Sequence, residues 1–175
     1  MFISTSILPL LALTMATGSP LTPRLAEKDV KIRLKGTDDC LSHRAVLGRS
    51  DVIQASTETC SDAPKWTING DGVGQSGKIA LAEDHGKVLE SSEGGIAVTL
   101  QSPRESSQEQ QWTFLEDGGI QTTLDFVVNP NEKIPEEYCL TKTTDPLFIM
   151  RIDACPGSSK PLAIEGGQRI WEVVE

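Results

Sequence analysis

The sequence predicts an all-β domain in which a unit of four short strands occurs three times around a pseudo-threefold axis. Three observations predict it. The chain has three tryptophans, Trp66, Trp112 and Trp171, and each closes a segment with the same order of apolar runs. Those runs alternate apolar with polar residues, as in VKIRL, IAVTL and WTF, and Gly-rich and Ser-rich stretches separate them. Period two with such punctuation is the signature of strands, and self-similarity along a chain is the signature of a repeat architecture. No stretch carries a convincing helical stripe.

Taken in order, the first runs of the three units are residues 32–34, 79–81 and 120–122. The second runs are Cys40 and Leu41, Val88 and Leu89, and Cys139 and Leu140. The third are residues 52–54, 96–100 and 147–152, and the fourth are 66–68, 112–115 and 170–173. Repeats of about 28–70, 71–118 and 119–175 follow. The tryptophans lie 46 positions apart (66 to 112) and then 59 (112 to 171). Two insertions account for the wider spacing: NPNEKIPEE at 129–137 and PGSSKPLAIEGG at 156–167. Both are polar and carry proline, so both read as surface loops. The stretch GDGVGQSGK reads as the linker between the first two units. It fails the phosphate-loop pattern because Ile79 follows Lys78. Three units without remainder predict closure into a barrel, which leaves no unpaired edge. The tryptophan rings then belong to the core. Phe114, two places after Trp112, faces the same side. Phe148 sits in an apolar run and is read as core, whereas Phe126 and Tyr138 flank the first insertion.

Composition narrows the function. Of 175 residues, 23% are charged and 38% hydrophobic, which suits one folded domain rather than a disordered or fibrous chain. The net charge is -9 and no Lys/Arg cluster occurs. Binding to nucleic acid or to an anionic membrane surface needs a basic patch, so neither is expected as a partner. The N-terminus, MFISTSILPLLALTMATGSP, is apolar from Ile7 to Ala16. That run is too short to span a bilayer and suits a signal peptide, residues 1–18, cut after Gly18, with a short segment 19–27 before the domain. The segment lacks the usual basic residues at its start, and a buried strand or helix is the alternative. Four cysteines, Cys40, Cys60, Cys139 and Cys155, contain no C-x-x-C pair, so no zinc ribbon or redox motif is indicated. In a secreted chain they imply two disulfides, with three pairings open. Local pairing would close loops spanning 20 and 16 positions and stabilise by about 3 kcal/mol each.

The pattern of Cys-Leu, an apolar strand, a second Cys and then Q-x-W resembles the ricin B-type lectin domain, a β-trefoil. Gln110, Gln111 and Trp112 fit Q-x-W, while Trp66 and Trp171 keep the tryptophan after Pro64 and Arg169. The resemblance covers about residues 28–175 and implies disulfides within the first and third repeats, with Val88 at the vacant cysteine position of the second. It implies a small secreted, fungal-like, carbohydrate-binding protein. Its sugar sites would need a carboxylate two places after the first Cys, to bond vicinal hydroxyls, and an aromatic face two places before the second. The matching residues are Ser42 with no aromatic in the first repeat, and Thr141 with Asp153 in the third. The second repeat keeps a carboxylate, Glu90, beside Gln101 and Glu109. Those three residues are the candidate sugar site, with glycans the candidate ligand.

Catalysis is not expected. His43 and His85 are the only histidines, neither has the partner of a zinc helix, and no G-x-S-x-G occurs. No metal or cofactor is indicated. The rival reading is a protein-binding domain, such as a secreted protease inhibitor. Its rigid barrel would present the third-repeat insertions, stiffened by prolines 130, 135, 156 and 161.

Overall fold

Alternation of apolar and polar residues does sort this chain into strands. The computed structural model describes residues 29–46, 48–70, 72–91, 97–129, 132–144, 150–155 and 167–175. The proposed signal segment 1–18 and the stretch 19–27 lie outside the described residues. So do Ile96, Phe148 with the start of the 147–152 run, and the second insertion apart from Gly167. Twelve strands are present among the described residues. They are β1 (Asp29–Leu34), β2 (Asp39–Val46), β3 (Arg49–Thr59), β4 (Trp66–Asn69), β5 (Ser76–Leu81) and β6 (Asp84–Ser91). There follow β7 (Val98–Gln101), β8 (Trp112–Phe114), β9 (Ile120–Asn129), β10 (Glu132–Lys142), β11 (Met150–Ala154) and β12 (Trp171–Val174). A 3-10 turn, Gln108–Gln110, precedes β8.

The ladders close a ring of seven strands, β1–β2–β3–β7–β6–β5–β4 and back to β1. Five more strands extend it: β8 pairs β5, β9 pairs β8, β10 pairs β9, β11 pairs β10, and β12 pairs β1. This differs from the predicted β-trefoil of three equal four-stranded repeats. Under threefold equivalence the β1–β4 and β5–β8 ladders require a β9–β12 ladder, and the β3–β7 ladder requires counterparts at β11. Neither occurs among the described residues. The third unit departs because its first insertion is not a loop. Residues 129 and 132–137 belong to a long antiparallel hairpin, β9 with β10, in which Glu136 opposes Leu124 and Ile134 opposes Phe126. Alternating apolar residues at 124, 126 and 128 carry the strand pattern through it. Pro135 is tolerated because β11 covers β10 only from Tyr138 onward, and proline fits a strand with an uncovered side. Tyr138 is accordingly a strand residue packed against the core.

The core lies where the tryptophans meet the inward residues of the barrel. Trp66, Trp112 and Trp171 are buried with Ile32, Leu34, Leu41, Ile79, Leu89 and Leu140. Phe114 is buried with them, as its spacing predicts. Each indole N–H donates to a backbone carbonyl: Trp66 to Leu41 at 3.0 Å, Trp112 to Leu89 at 2.9 Å, and Trp171 to Leu140 at 3.0 Å. The acceptor is every time the leucine of the second run. Cys40 bonds Cys60 and Cys139 bonds Cys155, so the disulfides are the local pair. Bridges of this kind persist in oxidising, extracellular surroundings.

Two glycines are obligatory. A Cβ at Gly77 would sit 1.5 Å from the Asn69 carbonyl oxygen, at the end of the β4–β5 ladder. Gly118 has φ +91°, and a Cβ there would meet the Trp171 carbonyl at 2.7 Å. Its own carbonyl accepts the Trp171 N–H at 2.8 Å, tying the β8–β9 turn to the start of β12.

Replacing Trp112 with Phe should strand the Leu89 carbonyl and lower stability by about 1–3 kcal/mol, read as a shift of the urea midpoint. Gly77→Ala should be worse, because backbone rather than a side chain must yield, and should abolish cooperative thermal unfolding.

Candidate functional site

The predicted site rests on the β6–β7 ladder. Glu90 opposes Thr99 and Val88 opposes Gln101. Opposed residues share a face, as do residues two apart along a strand, so Glu90, Thr99 and Gln101 line one side. The Gln101 amide donates to the Thr99 hydroxyl at 3.3 Å.

Residues at and just before the start of β8 grip this ladder from outside it. Trp112 bonds the carbonyl of Leu89, and Gln110, two positions earlier, donates to Glu90 Oε2 at 2.8 Å. Gln110 is fully buried. Its Nε2 also donates to the Ser102 carbonyl at 2.9 Å, and its Oε1 accepts the Arg104 N–H at 2.8 Å. Lys78 Nζ donates to the Arg104 carbonyl at 2.7 Å. The five residues 102–106 are exposed, yet their backbone is fastened at three atoms to groups outside the loop. Buried Ser107 donates to Glu109 Oε2 at 2.6 Å, and Ser91 donates to the Glu109 carbonyl at 3.1 Å.

Arg104 links the two predicted carboxylates. Its Nη2 lies 2.6 Å from Glu90 Oε2 and 3.7 Å from Glu109 Oε2. The arginine side chain is 57% exposed, Glu90 17% and Glu109 30%. The structure therefore brings Glu90, Gln101 and Glu109 to one locality. Chemically the locality offers carboxylate acceptors and guanidinium and amide donors, the set that hydroxyl-rich ligands use. Sequence reasoning missed Arg104, which lies in the irregular SPRES stretch and carries no periodic or motif signal. It found Gln110 as a structural residue, but not its bond to Glu90.

The other two units hold their equivalents differently. In the first, buried Ser42 donates to Glu58 Oε2 at 2.7 Å. In the third, Thr141 is buried and bonds its own strand at the Cys139 carbonyl, 2.9 Å away. Arg169, in the place of Gln110, forms a buried ion pair with Asp153. Register places Glu58 opposite Cys40, Gln101 opposite Val88 and Asp153 opposite Cys139. The three positions where a stacking ring was sought are thus structurally equivalent, and none is aromatic. A separate cleft of about 280 Å³ lies between Leu34, Lys35 and residues 167–170, and no predicted site residue lines it.

Of the histidines, His43 Nε2 lies 3.9 Å from Glu83, and His85 is exposed at the start of β6. Among the described residues, no three His, Cys, Asp or Glu side chains group to hold a metal ion. Of the two insertions in the rival protein-binding reading, residues 129 and 132–137 lie in the β9–β10 hairpin, and the other lies outside the described residues but for Gly167.

A scan against protein-family models finds no match, and neither does a search of characterised proteins. Solved structures do match. A chain of cytolethal distending toxin from Actinobacillus actinomycetemcomitans is similar with a TM-score of 0.50 and 13% identity, covering 83% of this chain and 90% of that one. A chain of the Haemophilus ducreyi cytolethal distending toxin has a TM-score of 0.47 and 10% identity, covering 83% of each. At such identity the first likeness speaks for the fold alone. These findings correct the ricin B-type resemblance. The structure similar at a TM-score of 0.50 is a toxin chain, and the ladders form a closed seven-stranded barrel with five added strands in place of a trefoil lectin. The Cys-Leu and Q-x-W spacing reports a disulfide-closed hairpin and a buried indole, and both can be built without that architecture.

Gln110→Leu keeps volume and removes the three anchoring bonds. It should lower stability by about 1–3 kcal/mol and speed hydrogen exchange at the Arg104 amide, measured by NMR.

Proposed function

We infer that this is a secreted, non-catalytic binding protein whose ligand is a carbohydrate and whose site is centred on Glu90, with Gln101 and Glu109 beside it. The observation that carries the reading is the 2.8 Å bond by which the fully buried Gln110 amide orients Glu90 Oε2 on the β6–β7 ladder. A carboxylate oriented by a buried amide on a rigid ladder is preorganised, and a rigid acceptor binds hydroxyls without first losing rotamer freedom. Secretion is supported by the two disulfides and by the apolar segment at residues 7–16. Three like units are the finer architecture proposed here, supported by the indole–carbonyl bond that recurs in each.

A glycan array probed with the protein and with Glu90→Ala tests the reading. Selective binding by the protein, weakened about tenfold or more in the variant, is expected from loss of a charged hydrogen-bond acceptor. Silence of the folded protein across the array would end it.

A further inference from the structure

Glu90 offers two oxygens, and one of them is already engaged twice. Oε2 accepts from Gln110 and from Arg104. The two donors differ in kind. Gln110 is fully buried and fixed by its other bonds, whereas the Arg104 side chain is more than half exposed. A second carboxylate, Glu109, stands 3.7 Å from the same Arg104 nitrogen. Because Gln110 and Lys78 hold the backbone N–H and C=O of Arg104, the side chain can turn while its Cα stays in place.

We propose that Arg104 is a gate on the Glu90 site: it occupies the carboxylate in the free protein and swings to Glu109 when a neutral glycan binds. This rests on the carbohydrate reading above and adds its regulation. Exposed ion pairs are weak, worth at most about a fivefold factor in an equilibrium, so an arriving pair of hydroxyls can displace the guanidinium. Glu109 lowers the cost further, because the displaced cation keeps a carboxylate partner and does not return to water alone. Salt acts on the gate and not on a neutral ligand. Screening weakens the Arg104–Glu90 contact, so added salt opens the site, the opposite of its effect where charge attraction drives binding.

The test takes the strongest neutral glycan found on the array, with both the protein and Arg104→Ala as probes, and titrates it by calorimetry at low and high sodium chloride. The gate predicts that Arg104→Ala binds about two- to fivefold more tightly at low salt. It also predicts that salt tightens binding to the unsubstituted protein and leaves the variant unchanged. Circular dichroism confirms that the variant is folded. Equal or weaker binding by Arg104→Ala overturns the gate while leaving the carbohydrate reading standing. Absence of any glycan binder for both proteins overturns the two together.

Discussion

Three indole N–H groups, each bonded to the carbonyl of a leucine in its own segment, organise this protein. A tryptophan ring excludes water over a large area, yet its N–H must find an acceptor once buried. Here the acceptor is always the leucine after Cys40, Val88 or Cys139. The bond joins the fourth strand of a segment to the second, across a separation of 25, 23 or 31 residues. It therefore ties the strand that ends each segment to the base of its hairpin. In the first and third segments a disulfide closes the same hairpin. The second segment has none, and there the fully buried Gln110 supplies the extra tie.

On the second segment, which has no disulfide, the hydrogen-bonded amide leaves a partly exposed polar centre. Gln110 and Trp112 are two residues apart, so both reach the same strand, one at the Leu89 carbonyl and the other at the Glu90 carboxylate. Pro64 cannot repeat this in the first segment, having no side-chain amide. Arg169 takes the position in the third, but turns to Asp153 and forms a buried pair. A buried pair of that kind is strongly unfavourable to break from one side. Three related positions have thus come to three different electrostatic states: a hydroxyl on a carboxylate, an open amide-and-arginine cluster, and a sealed ion pair.

Much of the fold was legible because burial follows period two. The order of all twelve runs and the burial of the tryptophans and Phe114 could be read from spacing, whereas spacing left three disulfide pairings open. Ladder partners could not. Which strand lies beside β3 or β12 depends on packing between segments, and no local pattern records it. The β9–β10 hairpin was misread because Pro135 and the charges of NEKIPEE outweighed the alternation of Leu124, Phe126 and Val128. Proline is a loop signal only where its missing N–H would be needed. Glu90, Gln101 and Glu109 were named from their positions relative to Val88 and Trp112, and the ladder register brings them near one another. Arg104 was not, since it lies in a stretch whose shape is dictated by Gln110 rather than by its own residues.

The anchoring of that stretch has a consequence for how the surface can diversify. Gln110 touches it only through the Ser102 carbonyl and the Arg104 N–H. The side chains of Pro103, Glu105 and Ser106 take no part in those bonds and face solvent. Their identities can drift, or be randomised by design, while the main-chain path is kept. The barrel is in that sense a display scaffold, and the one substitution its latch forbids outright is a proline at position 104.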